Sequence, residues 1–346
     1  MNWILVFLSL AWWDSNYTKM KPCTLSVGSG GADSLYQVKI IVDYDSDMQS
    51  DFDDIRFVDE TESNELDFWL QEKVDSDSAI FWVEEDDSIK TTKSLCYMYY
   101  GNAGASSASC DSTTFVEAGL TDFTEVDPNS HLAVVDSAVW WNGLARNEDA
   151  YVYKDKGVDF FDGNFKHFIE AIDSGGSTAR LGVYWSLQNV VDDIKAIGDA
   201  SGDCLAIYTY NGELFLRECI GGTAYTDGYN FSVDVLYYLT VVRDETIGTY
   251  GAMYCNIYSD YSRTTLVDSL HVALHEKEDF RYVFMTNTYN SGNVYLIDGI
   301  SQNLRACKYH DPEPTYAFGA EQSEAVAVKK GIPFEWGWPF KELGRK

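Results

Sequence analysis

The sequence predicts an all-β protein of two antiparallel β-sandwich domains, the second a larger sandwich or jelly roll. Three observations lead there. Apolar or alternating runs of strand length recur from residue 36 to residue 300, separated by clusters of Gly, Asp, Asn and Ser. The chain carries 24 Tyr, 18 Phe and 10 Trp, types that suit a pleated surface better than a helix. Its 346 residues exceed one ordinary core, and no long amphipathic helix is visible.

Residues 1–11 hold a short apolar run closed by Ala11, read as a signal-like segment. It lacks a positive flank, so a first strand or a misplaced start codon is the alternative. Five strands follow: YQVKIIVDY (36–44), DIRFV (54–58), LDFWL (66–70), AIFWV (79–83) and SLCYMYYG (94–101). They predict a first sandwich over residues 12–110. The small, polar stretch 101–113 has no periodicity and reads as linker, with 111–126 as linker and entry strand. The second sandwich is placed at 127–310, from HLAVV (131–135) to NVYLIDGI (293–300). Within it, VVDDIKAIGDA (190–200) reads equally as a helical turn or a loop. Periodicity stops after residues 311–314, so 311–346 is expected to be a C-terminal tail. Its last 21 residues, 326–346, carry five basic and two acidic side chains and would suit docking or homo-oligomer assembly.

With 55 acidic and 25 basic residues the net charge is -30, which repels phosphate backbones and anionic bilayers and excludes nucleic acid as a first partner. No segment reaches the length of a transmembrane helix. Charge is uneven, since residues 43–87 alone contribute -16. There Asp43, Asp45, Asp47, Gln49, Asp51 and Asp54 fall at positions 1, 3, 5, 7, 9 and 12 of a calcium-loop count, and such oxygens suit a hard cation. Met48 replaces the expected glycine, Asp54 stands where a glutamate is usual, and no flanking helices are visible. A solvated acidic loop is the competing reading.

The seven cysteines show no CxxC pair and no histidine at zinc-finger spacing. One pair follows from geometry. Asn211-Gly212 is a preferred two-residue type I′ turn, and pairing outward from it sets Cys204 opposite Cys219, where a disulfide or two reduced neighbours both fit. The same hairpin puts Leu205, Ile207, Leu214 and Leu216 on a core face and Tyr208, Tyr210, Phe215 and Arg217 on the other. An aromatic platform beside a donor suits sugar stacking, and a covered face is the competing reading. Trp140, Trp141, Tyr151, Tyr153 and Trp185 are further aromatic candidates.

The motifs Phe52, Asp54, Ile55, Arg56 and Phe57, then Tyr97, Tyr99, Tyr100, Gly101 and Asn102, stand in order after YQVKIIVDY. Together they resemble the DUF2341 domain, over roughly residues 12–110. The second group, through YYLTVVRDE (237–245) and NVYLIDGI, resembles concanavalin A-like lectin/glucanase and laminin G-like domains. That resemblance implies a concanavalin A-like jelly roll on an extracellular, cell-surface or virion-surface protein.

Catalytic patterns are missing. FIEAIDSG (168–175) and EKEDF (276–280) do not reproduce the carboxylate strand of concanavalin-like glucanases, and no GxSxG or GxxxxGK[ST] occurs. His271 and His275 lack HExxH order. The expectation is a non-catalytic binding or adhesion protein whose partner is a glycan or a surface protein, without a cofactor unless calcium binds. A structural component of a virion or surface assembly is second, and a glycan hydrolase third.

Overall fold

The computed structural model describes residues 12–28, 30–144, 149–176, 181–288 and 297–324. The signal-like segment 1–11 and the basic stretch 326–346 therefore lie outside the described residues. The regular secondary structure of the described chain is nearly all strand, arranged in antiparallel sheets.

The first sandwich holds β1 (Lys19–Ser26), β2 (Tyr36–Asp43), β3 (Arg56–Val58), β4 (Phe68–Val74), β5 (Ser78–Glu85) and β6 (Ser94–Tyr100). Alternation decides its faces. Val38, Ile40 and Val42 of β2, Phe68 of β4, and Ala79, Phe81 and Val83 of β5 enter the core, whereas Lys39, Trp69 and Trp82 point the other way. Phe57, Phe68 and Phe81 meet edge-on, with centroids 5.6, 5.6 and 5.8 Å apart, the arrangement aromatic quadrupoles favour.

Two boundaries differ from expectation. Residues 101–113 are no free linker. The Arg56 guanidinium donates to the Ser106 carbonyl (2.6 Å), the Leu70 amide to Ser109 Oγ (2.8 Å), and the Cys110 amide to the Phe68 carbonyl (2.9 Å), pinning the stretch to the sandwich. The start of the expected tail also returns to the first domain, where Thr315–Phe318 and Gln322–Ser323 pair with β1. Pro22 explains the gap between those two pairings. It offers no N–H, and the ladder on that side is broken at its position.

A single turn, α1 (Asp111–Thr114), leads into the second sandwich. In order come β7 (Glu117–Ala118), β8 (Thr124–Val126), β9 (Leu132–Val135), β10 (Ala138–Leu144), β11 (Ala150–Asp155), β12 (Phe165–Gly176) and β13 (Leu181–Gln188). Then α2 (Ile194–Asp199) precedes β14 (Cys204–Tyr210), β15 (Glu213–Ile220), β16 (Thr223–Asn230), β17 (Tyr237–Asp244) and β18 (Ala252–Tyr258). The domain closes with β19 (Leu266–Ala273), β20 (Tyr282–Thr288) and β21 (Ile297–Lys308), and the two strands returning to β1 are β22 and β23.

One sheet runs β19-β18-β17-β12-β21-β10-β9 with β7 on β21, and the other runs β16-β15-β14-β13-β20-β11-β8. Trp141, Trp185, Leu205, Ile207, Leu214, Leu216 and Leu239 fill the space between them. Trp185 is fully buried and donates to Nδ1 of His167 (3.1 Å), whose pKa burial lowers to about 3, so the ring is a neutral acceptor. The Asn211-Gly212 turn forms as read, with φ of 54° and 83°. Within the 190–200 stretch Ile194–Asp199 form the helix α2, which Asp193 caps by accepting the Lys195 and Ala196 amides, and the residues before it are loop.

Candidate functional site

The two sandwiches meet outer face to outer face. In the β2-β5-β4 sheet, Lys39 pairs with Trp82 and Trp82 with Trp69, giving one cross-strand row on the side away from the core. Opposite it, Arg305, Phe168 and Thr240 form a row across β21, β12 and β17. Trp82, Phe115, Ala118, Phe168 and Cys307 close the middle of the contact, with Trp82 and Phe168 edge-on at 5.2 Å. A register shift in β4 leaves Gln71 as the extra residue, and its Oε1 accepts from the Trp82 indole at 2.7 Å.

Beside that contact a cleft of about 190 Å³ stays open. Its lining includes four cations, Lys39, Lys166, Arg263 and Arg305, against one carboxylate, Glu313. In a chain of net charge -30 this is a local reversal of sign. Lys166 is buried, bonds Glu313 at 2.6 Å and lies 5.0 Å from the Trp82 ring centre. Arg305 stacks 4.0 Å from the Trp69 centroid and bonds Asp111 at 2.9 Å, but its buried Nε has no partner. Arg263 lies 4.9 Å from the Phe168 centroid, donates to the Tyr261 carbonyl, and likewise keeps a buried, unpartnered Nε.

Lys39 makes no hydrogen bond or close ion pair among the described residues. Burial, then Lys166 and Arg263, push its pKa down; Glu313 and Glu72 offset this in part. Burial brings the Arg263 guanidinium down to about 10, with Glu170 opposing the fall. The cleft thus carries cationic donors whose charge is incompletely compensated, between aromatic walls. That combination suits an anionic group borne on a ring. A glycosidase needs two carboxylates about 5–5.5 Å or 6.5–9.5 Å apart, and this lining supplies Glu313 alone, already bound to Lys166.

A larger groove of about 650 Å³ runs along Tyr36, Phe160, Asn164 and Tyr309. Its cations are already engaged. Lys308 donates to the Ser34 carbonyl at 2.6 Å and Lys277 pairs with Glu245 at 3.4 Å.

The residues singled out from sequence fall elsewhere. Tyr208 and Phe215 stack at 5.3 Å, but α2 covers that face, and Tyr208 is only 8% exposed among Ile194, Ile197 and Cys204. Arg217 is drawn under α2 against Gly198, while Tyr210 stays exposed at the strand end. Of the expected open platform of Tyr208, Tyr210, Phe215 and Arg217, α2 therefore covers Tyr208, Phe215 and Arg217 and leaves Tyr210 alone exposed. Cys204 and Cys219 do face each other, as free thiols. Trp141 and Trp185 are core, and Trp140 is exposed. His271 packs tilted against Tyr254 at 4.9 Å and His275 bonds Glu218 at 2.7 Å, so the two histidines have separate partners.

The five aspartates of the calcium count do not converge. Asp54 is fully buried and accepts three backbone amides, from Gln49 (3.0 Å), Gly101 (2.7 Å) and Asn102 (3.2 Å), which makes it a structural anchor. Asp43 is exposed on the end of β2, and Asp51 bonds the Asp53 amide. Asp45 and Asp47 do group with Glu321, yet Lys21 bonds Asp45 (3.3 Å) and Lys19 bonds both Asp47 (2.9 Å) and Glu321 (2.6 Å). Two ammonium groups thus already pair with the three carboxylates of the cluster. Among the described residues no helix is long and apolar enough to cross a membrane.

Sequence reasoning missed the cleft. The available signal was Phe-Trp side by side in both β4 and β5, because alternation must send one ring of each pair outward, and two adjacent outward Trp call for a cover.

No curated protein sequence matches the chain. Similar solved structures include an endo-beta-1,4-glucuronan lyase from the fungus Trichoderma reesei, at 10% identity and TM-score 0.36 over 56% of this chain and 91% of that one. A functionally unknown protein from Saccharomyces cerevisiae has 10% identity and TM-score 0.36 over 56% and 99% of the two chains. The binding domain of botulinum neurotoxin DC in complex with rat synaptotagmin II has 11% identity and TM-score 0.36 over 55% of this chain and 45% of that one. Residues 51–141, from the turn before β3 through Trp141 of β10, match the family model described as domain of unknown function (DUF2341).

Proposed function

We propose that the chain is a non-catalytic binding protein displayed on a cell or virion surface, its second sandwich of the concanavalin A-like lectin type, and that it binds acidic saccharides in the cleft between its sandwiches. The observation that carries this is the Lys39 ammonium, without a close partner beside the unpartnered Nε of Arg263, in an aromatic-walled cleft of an otherwise acidic protein. A carboxylate or sulfate would bond Lys39 and Arg263, and the sugar ring would lie beside Trp69. Drug-sized sites span about 300–1,000 Å³, so a cleft of about 190 Å³ suits one terminal sugar or its acidic substituent.

Screening the full chain on a glycan array is the test. Retention of uronic-acid and sulfated glycans but not neutral ones, with signal lost in Lys39→Met, is the expected result. Retention of neutral glycans alone, unaffected by Lys39→Met, would move binding to another surface.

A further inference from the structure

Each sandwich holds two cysteines that face each other across neighbouring strands. In the first, Cys23 of β1 pairs with Cys96 of β6. In the second, Cys204 of β14 pairs with Cys219 of β15. All four are fully buried, and within each pair the two residues stand directly opposite each other in the ladder. Directly opposed residues of an antiparallel pair have α-carbons about 4.5–5.5 Å apart, inside the range of about 4.4–6.8 Å that a disulfide spans. The remaining three cysteines have no such neighbour. Cys255 faces Val241 and Leu270, Cys307 faces Lys166, and Cys110 lies beside Ser112. The odd count of seven thus resolves into two pairs and three singles.

We propose that Cys23–Cys96 and Cys204–Cys219 are oxidised to two cross-strand disulfides, one per sandwich, by exchange with a small-molecule disulfide such as glutathione disulfide. The proposal stands apart from the cleft and survives if no glycan binds. In the exchange, one cysteine thiolate attacks a sulfur of the oxidant and expels one glutathione thiolate. The partner cysteine then loses its proton and attacks the protein sulfur of the mixed disulfide, expelling the second. Two protein thiols become one disulfide, and glutathione disulfide becomes two glutathione thiols.

The surroundings assign the roles in the second pair. Hydrogen bonding from Cys204, then the Arg217 guanidinium, pulls the Cys219 pKa down, while the hydrogen bond to Cys219 and burial push Cys204 up. With α2 displaced from this face, Cys219 is the attacking thiolate and Cys204 the resolving thiol. In the first pair both thiols are fully buried in the closed sandwich, so that bridge forms before the core closes. Arg217 and Tyr208, read from sequence as ligand groups, here pack around a thiol pair.

The test is thiol counting on the full chain refolded in a glutathione redox buffer. Denaturing alkylation without reductant should label three cysteines, and alkylation after reduction should label seven. Unreduced peptides should link Cys23 to Cys96 and Cys204 to Cys219. Cys204→Ser should free Cys219 while leaving the Cys23–Cys96 peptide intact, which separates site-specific pairing from general oxidation. Reduction should lower the thermal midpoint by about 5–10 °C. Seven labelled cysteines without reductant, or bridges joining any other residues, would overturn the proposal.

Discussion

Asp54→Ala removes the carboxylate that gathers the turn after β6. Its oxygens accept the amides of Gln49, Gly101 and Asn102 from a position with no exposed surface, so water cannot replace them without opening the fold. Gly101 adopts φ +83°, and a Cβ there would meet Thr18 Oγ1 at 2.3 Å, so the turn has little freedom to find other partners. Hydrogen bonds to a charged group contribute about 1.5–3 kcal/mol each, and a buried donor left alone costs about 1–3 kcal/mol. Allowing partial relaxation of three donors, the first sandwich should lose about 3–5 kcal/mol. Denaturant unfolding followed by tryptophan fluorescence reads this directly. Exposed Asp43, of the same expected calcium set, provides the control, and Asp43→Asn should stay within about 0.5 kcal/mol. A loss below about 1 kcal/mol in Asp54→Ala would refute the anchoring role.

Three further outcomes follow from individual groups. Burial raises the Glu85 carboxyl to about 7, against the lowering effect of a hydrogen bond from the Asp87 backbone, and the neighbouring Asp86 charge adds to the rise. The folded state therefore holds this proton more tightly than the unfolded chain, and stability falls as pH climbs from about 4.5 to 7, by about 3 kcal/mol. Glu85→Gln should flatten that loss and raise the thermal midpoint at pH 8; an unchanged pH profile would contradict it. Asp193→Ala deletes the α2 cap and should cost about 1 kcal/mol in thermal unfolding, with faster alkylation of Cys219 in reduced protein. An anion beside Lys39 would raise its depressed pKa, so acidic-ligand affinity should weaken as pH rises through that value, a slope that calorimetry would find absent in Lys39→Met.

Local periodicity made the strands legible, and turn chemistry made the 204–219 hairpin legible down to its register. β1 was harder, because KMKPCTLS mixes lysines and a proline into a strand whose ladder is interrupted. β22 and β23 were hidden for another reason, since their partner lies nearly the whole chain away and nothing local encodes that contact. The acidic spacing misled, because alternate aspartates satisfy a ligand count whether they converge on an ion or cap turns, as Asp45, Asp51 and Asp54 do. The hairpin faces were read correctly but not what covers them, for α2 comes from a segment with weak helical pattern. The cleft depends on two outer faces docking, so Lys39 and Arg263 become neighbours only in the assembled chain.

The central claim is that Lys39 and Arg263 form an anion-reading site, and calorimetric titration of the full chain with a short oligouronate tests it most directly. Wild type should bind the oligouronate and not the neutral oligosaccharide of equal length, with affinity falling as salt increases. Lys39→Met and Arg263→Gln should each weaken binding about tenfold or more, Lys39→Met at unchanged thermal midpoint. Equal affinity for charged and neutral sugars, or full affinity in both variants, would contradict the account.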